Sequence, residues 1–191
     1  MKKVLTLAAL MLAAFSLRAQ TVEFVAGKTQ RVFIEKTAAA ENHTTFAYLE
    51  ATYNGGAMLK VFHEQKFWET PLFLHGEYQT TFDGNHVTLA GLTWSFDLPN
   101  GFISFTPQYR YDFGANLHGA QFSNAYLAAW KWVELYGYNH YWYNGAHCFF
   151  GEERLHFRLT EHFKIGCILD LTYTYFGQFG ATPYLGIRYD F

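Results

Sequence analysis

Period-two alternation constrains this chain more than any other feature. From Phe163 to Tyr175 the odd positions read Phe163, Ile165, Cys167, Leu169, Leu171, Tyr173 and Tyr175, while the even ones include Lys164, Gly166, Asp170, Thr172 and Thr174. Successive side chains of an extended strand point to opposite faces, so the segment has one apolar face and one polar face. Residues 103 to 113 repeat the pattern, with Ile103, Phe105, Pro107, Tyr109, Tyr111 and Phe113 on one side and Ser104, Thr106, Gln108, Arg110 and Asp112 on the other. A helical period would scatter those charges around a cylinder.

Hairpin chemistry separates such runs. Asn54, Gly55 and Gly56; Asp83, Gly84 and Asn85; Pro99, Asn100 and Gly101; and Asn144 with Gly145 supply the positive φ angles of tight turns. Strands joined this closely are antiparallel neighbours. The pattern predicts twelve, near 22–26, 30–37, 44–53, 57–66, 70–81, 86–97, 102–112, 120–131, 133–143, 147–158, 162–175 and 182–191. The first two and the split near Trp132 carry the weakest signal, leaving ten strands as an alternative. An even count brings both termini to one rim. The opposite rim then takes the connections at 113–119 and 176–181, although residues 38–43 form another long one.

Composition decides which face points inward. Half the residues are hydrophobic and a fifth aromatic, yet mean hydropathy is −0.08 and no stretch after the first residues approaches a transmembrane helix. A soluble β-sandwich or lipocalin-like barrel also alternates, but fills its interior with apolar side chains. Here Glu, Arg, Asp, Lys and Gln sit at mid-strand, while Tyr109, Tyr111, Tyr173, Tyr175, Tyr189 and Phe191 gather towards strand ends, as an interfacial girdle does. The expected fold is all-β: a transmembrane antiparallel up-and-down β-barrel.

The ends agree with that destination. Lys2 and Lys3, the apolar run Val4 to Ala14 and small Ala19 read as an export signal over residues 1–19, leaving residues 20–191 as the barrel. Net charge is −2, which argues against a general affinity for nucleic acid polymers. Cys148 and Cys167 invite a disulfide in an exported chain. With a turn at Thr160 and Glu161, however, Cys167 falls opposite residue 154, about 20 Å along the strand from Cys148, so both thiols are expected free.

The last strand, Y-L-G-I-R-Y-D-F, alternates Leu185, Ile187, Tyr189 and Phe191 and ends on Phe. It resembles the C-terminal assembly signal of outer-membrane barrels, which implies reading by the barrel-assembly machinery and a place in outer-membrane lipid. Further blocks are Val22 to Gly27, Gln30 to Lys36, T-T-F-A-Y-L-E-A-T-Y-N, F-L-H-G-E-Y at 73–78, Leu89 to Trp94, and Y-R-Y-D at 109–112. Their order and spacing resemble compact outer-membrane proteins related to the nucleoside-specific channel-forming (Tsx-like) family. That resemblance implies a narrow, twelve-stranded, monomeric barrel that passes nucleosides; the chain is shorter than the channel members.

The polar rows supply the candidate lining: His75, Glu77 and Gln79; Gln108, Arg110 and Asp112; Glu152, Arg154, His156 and Arg158; Lys164 and Asp170; Arg188 and Asp190. Facing one another across a narrow lumen, they form either a selectivity filter for a small polar solute or a salt-bridged plug. Phe62, Phe73 and Tyr184 share those faces and could stack a base or sugar. The nine histidines show no compact metal-ligand spacing, although His75 and Glu77 at i, i+2 could seed a site if a neighbouring strand added ligands. His118 and Ser123 lie five residues apart across an expected loop, which implies no base–nucleophile contact, and no cofactor motif is present, so the sequence does not read as an enzyme.

Overall fold

The computed structural model describes residues 20–52, 56–174 and 177–191. The export-signal segment 1–19, Asn54, Gly55 and Tyr175 lie outside the described residues. Twelve antiparallel strands, each paired with its sequence neighbours, close into one barrel: β1 (Thr21–Gly27), β2 (Gln30–Ala40), β3 (His43–Thr52), β4 (Ala57–Lys66), β5 (Leu72–Thr81), β6 (His86–Leu98), β7 (Gly101–Asp112), β8 (Leu117–Ala129), β9 (Val133–Tyr143), β10 (His147–Arg158), β11 (Phe163–Tyr173) and β12 (Phe179–Asp190). The first strand pairs with the last from Thr21 opposite Asp190 to Gly27 opposite Tyr184, which leaves no free sheet edge.

Twelve strands form, so the ten-strand alternative falls. The turn around Trp132 is real, because Trp130 N–H bonds the Val133 carbonyl there. Gly84 and Gly145 adopt φ angles of 93° and 103° in their hairpins, as the turn chemistry requires.

Boundaries move where turns are tighter than composition suggested. β8 starts at Leu117 and β12 at Phe179, each three residues before the expected position, while β11 ends at Tyr173 rather than at 175. The expected connections 113–119 and 38–43 shrink to 113–116 and 41–42, so neither rim is marked by long loops. The start of β1 and the end of β12 do lie on one rim.

Pro107 sits within β7 and has no N–H to give the ladder. The β6–β7 pairing accordingly skips from Gly91–Gln108 to Trp94–Phe105. A hydroxyl contact of 2.9 Å between Thr93 and Thr106 bridges the gap inside the barrel.

Exposure is inverted relative to a soluble protein. Leu74, Phe122, Leu185 and Ile187 on the outward rows are 47–72% exposed, whereas Glu23, Glu152 and His156 inside are 0% exposed. The register also places Cys167 opposite Leu155 rather than 154, on the outward row, while Cys148 pairs with Trp142 and is buried inside. Both thiols are free. Electrophoretic mobility of the unfolded chain should therefore be the same with and without reductant; a shift on reduction would contradict this geometry.

Candidate functional site: a charged lumen

All fourteen candidate lining residues lie on inward rows, but they do not form one ring. Around Arg154, at mid-height on β10, the guanidinium Nε donates to Glu152 at 2.6 Å, and Nη1 donates to Glu23 at 2.7 Å and to Glu35 at 3.1 Å. Its face packs over the Phe33 ring at 4.8 Å and the Tyr136 ring at 5.7 Å. His156 pairs through Nε2 with Glu23 at 2.8 Å. Arg31, on β2, meets Asp170 at 3.0 Å, Glu50 at 3.4 Å and Glu152 at 3.6 Å, and stacks on Tyr184 at 4.1 Å. The spaces between are filled by Val25, Phe33, Tyr48, Ile168 and Tyr184. Carboxylates outnumber guanidiniums in this half of the barrel, where Glu23, Glu35, Glu50, Glu152 and Asp170 face Arg31, Arg154 and Arg188.

A second cluster crosses the lumen from β4 and β5 to β9. Lys60 lies 2.9 Å from Glu77 and 3.3 Å from the Nε2 of His140. Glu77 also accepts from Gln79 at 2.5 Å and from Gln108 at 3.4 Å. His75 is held between carboxylates, Glu64 at 2.9 Å on Nδ1 and Glu77 at 3.2 Å on Nε2. These occupy opposite edges of the ring, so they do not converge on a common metal position, and among the described residues no group of three metal-ligating side chains is assembled.

Behind it, Ser123 donates to Gln108 at 2.7 Å and contacts His140 Nδ1 at 2.8 Å, while Arg110 donates to Gln121 at 2.7 Å. The serine does meet a histidine, but it is His140, not His118, which faces outward from β8. The other nitrogen of His140 faces the Lys60 ammonium rather than a carboxylate, so the orienting acid of a catalytic triad is missing.

The remaining candidates lie nearer the rims. Lys164 bridges Glu134 at 2.7 Å and Asp190 at 3.0 Å, and Arg188 donates to Asp190 at 2.9 Å. Asp112 accepts from the Ala115 N–H at 3.1 Å and so closes its own hairpin. Arg158 ends β10 with no carboxylate paired to it among the described residues. Of the aromatics, Phe62 stacks on His75 at 5.4 Å rather than on open space.

Two recesses enter the barrel from opposite mouths. One, of about 380 Å³, is lined by Glu50, Thr52, Met58 and Thr81 at the rim away from the termini. The other, of about 270 Å³, is lined by Lys66, Phe73, Ser95 and Asp97 at the terminal rim. The same two strands reach both. Between the recesses, the inward rows of β4 and β5 carry Lys60, Phe62 and Glu64 and Gln79, Glu77 and His75. These six side chains separate the two recesses along β4 and β5, a septum on this side of the barrel.

No family model matches the sequence, and no curated protein matches it. Among solved structures, the chain is similar to the KdgM porin, with a TM-score of 0.61 and 10% identity over 90% of this chain and 98% of that one. It is similarly close to the NanC porin, with a TM-score of 0.60 and 10% identity over 90% and 99% of the two chains. At that identity the likeness is one of fold.

Proposed function

We propose that this chain spans the outer membrane of a Gram-negative cell as a narrow passive channel for small polar solutes, neutral or cationic, with nucleosides the favoured class. The carrying observation is the inverted barrel with recesses at both mouths: an exposed apolar exterior fit for lipid around an interior lined by charges. All strands but β1 are 10–13 residues long, enough to cross a bilayer when tilted. The excess of carboxylates around Arg154 disfavours anions. A nucleoside carries no charge and has hydrogen-bonding groups suited to a lumen of carboxylates, amides and aromatic rings; the Tsx-like sequence resemblance adds to this choice. On β12, outward Tyr189 and the terminal Phe191 form the row assigned to recognition by the barrel-assembly machinery.

The test is reconstitution of the folded protein in planar bilayers and liposomes. Cation-preferring single-channel conductance is expected, together with nucleoside influx. Absence of both conductance and flux from folded protein would sink the proposal. That result would favour a closed structural barrel, a reading supported by the complete burial of Glu23, Glu152 and His156.

A further inference from the structure

The outward rows are mostly apolar; Lys36, His63, Gln65 and His118 interrupt them, but among the described strands a single carboxylate faces outward. Glu153, at the middle of β10, points outward, where it accepts from the Asn139 amide at 3.0 Å and from the Tyr126 hydroxyl. Asn124 of β8 lies directly opposite Asn139 of β9 on the same face. Space for these side chains comes from outward glycines. A Cβ on Gly137 would collide with the Glu153 carboxylate and the Tyr126 ring, and one on Gly151 with the Asn139 amide and the Phe149 ring.

In a barrel surrounded by lipid, an outward carboxylate at mid-strand breaks the alternation. Lipid offers no hydrogen bonds, so polar groups there must find partners in protein. Glu153 has only neutral donors within the chain: none of the ion pairs among the described residues includes it. A carboxylate has about four acceptor sites, and the two internal donors leave capacity unused. The Asn124 side chain has no hydrogen-bond partner among the described residues. Its two N–H donors and the spare acceptor capacity of Glu153 flank β9 on opposite sides.

We infer that the outward face of β8–β10 is the contact through which two copies of this chain associate in the membrane. Two copies inserted with the same orientation can be related by a two-fold axis along the membrane normal, which sets β8 of each against β10 of the other. Asn124 of one copy then meets Glu153 of the other, and the pairing occurs twice. Donor on one flank and acceptor on the other make the patch self-complementary, and the space over Gly137 and Gly151 lets Glu153 and Asn139 lie along the wall. This departs from the monomer implied by the family resemblance. It rests on the membrane placement proposed above but not on solute passage, so an absence of conductance leaves it standing.

The experiment uses the full chain folded into liposomes at several lipid-to-protein ratios, with Cys167→Ser removing the outward thiol. Leu135→Cys on the outward row of β9 should give a disulfide-linked dimer on mild oxidation, whereas Val22→Cys on β1 should not. Asn124→Leu should weaken the dimer measured in mild detergent by roughly tenfold or more, and it makes the outward face more apolar, so folding is retained. Glu153→Gln, which keeps the hydrogen-bonding shape, should weaken it less than Glu153→Leu. Monomer at every lipid ratio would overturn the inference. So would equal cross-linking from Val22→Cys, or an unchanged dimer in Asn124→Leu.

Discussion

Replacing Arg154 by methionine should cost the folded barrel about 3–5 kcal/mol, the range expected when one partner of a buried charge cluster is removed. The guanidinium is 1% exposed and lies against Glu152, Glu23 and Glu35. Methionine fills much of the same volume and can still pack on Phe33, so the loss isolates charge rather than a cavity. Glu23 would keep only His156, and Glu152 only the more distant Arg31 at 3.6 Å. Urea unfolding in liposomes, followed by tryptophan fluorescence, measures the difference. A loss below about 1 kcal/mol, typical of solvated ion pairs, would mean that water reaches the cluster and that it is not a plug. Adding Glu23→Gln and Glu152→Gln to Arg154→Met should recover much of the stability, because the penalty comes from the orphaned carboxylates rather than from the missing cation.

This cluster was half legible in the sequence, and the reason is local. On β10 and β11 the residues alternating with Glu152, Arg154, His156, Lys164 and Asp170 are mostly large and apolar, so the inward row declares itself. Lys60 and Glu64 are inward too, but β4 reads Met58, Lys60, Phe62 and Glu64 on one face and Leu59, Val61, His63 and Gln65 on the other, with no contrast for the period to expose. β9 hides His140 in the same way, with tyrosines on both faces. Glu23 and Arg31 fall on the two strands with the weakest pattern. Their partners are further out of reach of any local reading. Arg154 meets Glu23 at a separation of 131 residues and Lys60 meets His140 at 80, contacts fixed only when the sheet curves shut. Fold class and the inward rows of β5, β7, β10 and β11 follow from alternation; which charges meet follows from closure.

Lys60→Ala should raise single-channel conductance several-fold, and its effect separates a narrow channel from a closed barrel. Lys60 reaches from β4 to His140 on β9 and also lies 5.7 Å from the Tyr138 ring, so its side chain spans the lumen. It stands where the septum divides the two recesses, with Phe62 next on the same row. Truncation at Cβ removes the cross-lumen bridge, while Glu77 keeps donors from Gln79, Gln108 and His75, so the barrel should tolerate it better than the loss of Arg154. With the ammonium gone, Glu64 and Glu77 dominate the constriction and cation preference should increase. Lys164→Ala is the matching control: it removes the same charge near the terminal rim, away from the septum, and should leave conductance close to wild type. If the wild-type barrel is silent, Lys60→Ala combined with Phe62→Ala should make it conduct, which locates the block at the septum. Conductance unchanged in both variants would place the narrowest point at the Arg154 cluster instead, where opening a path means separating charges that also hold the fold together.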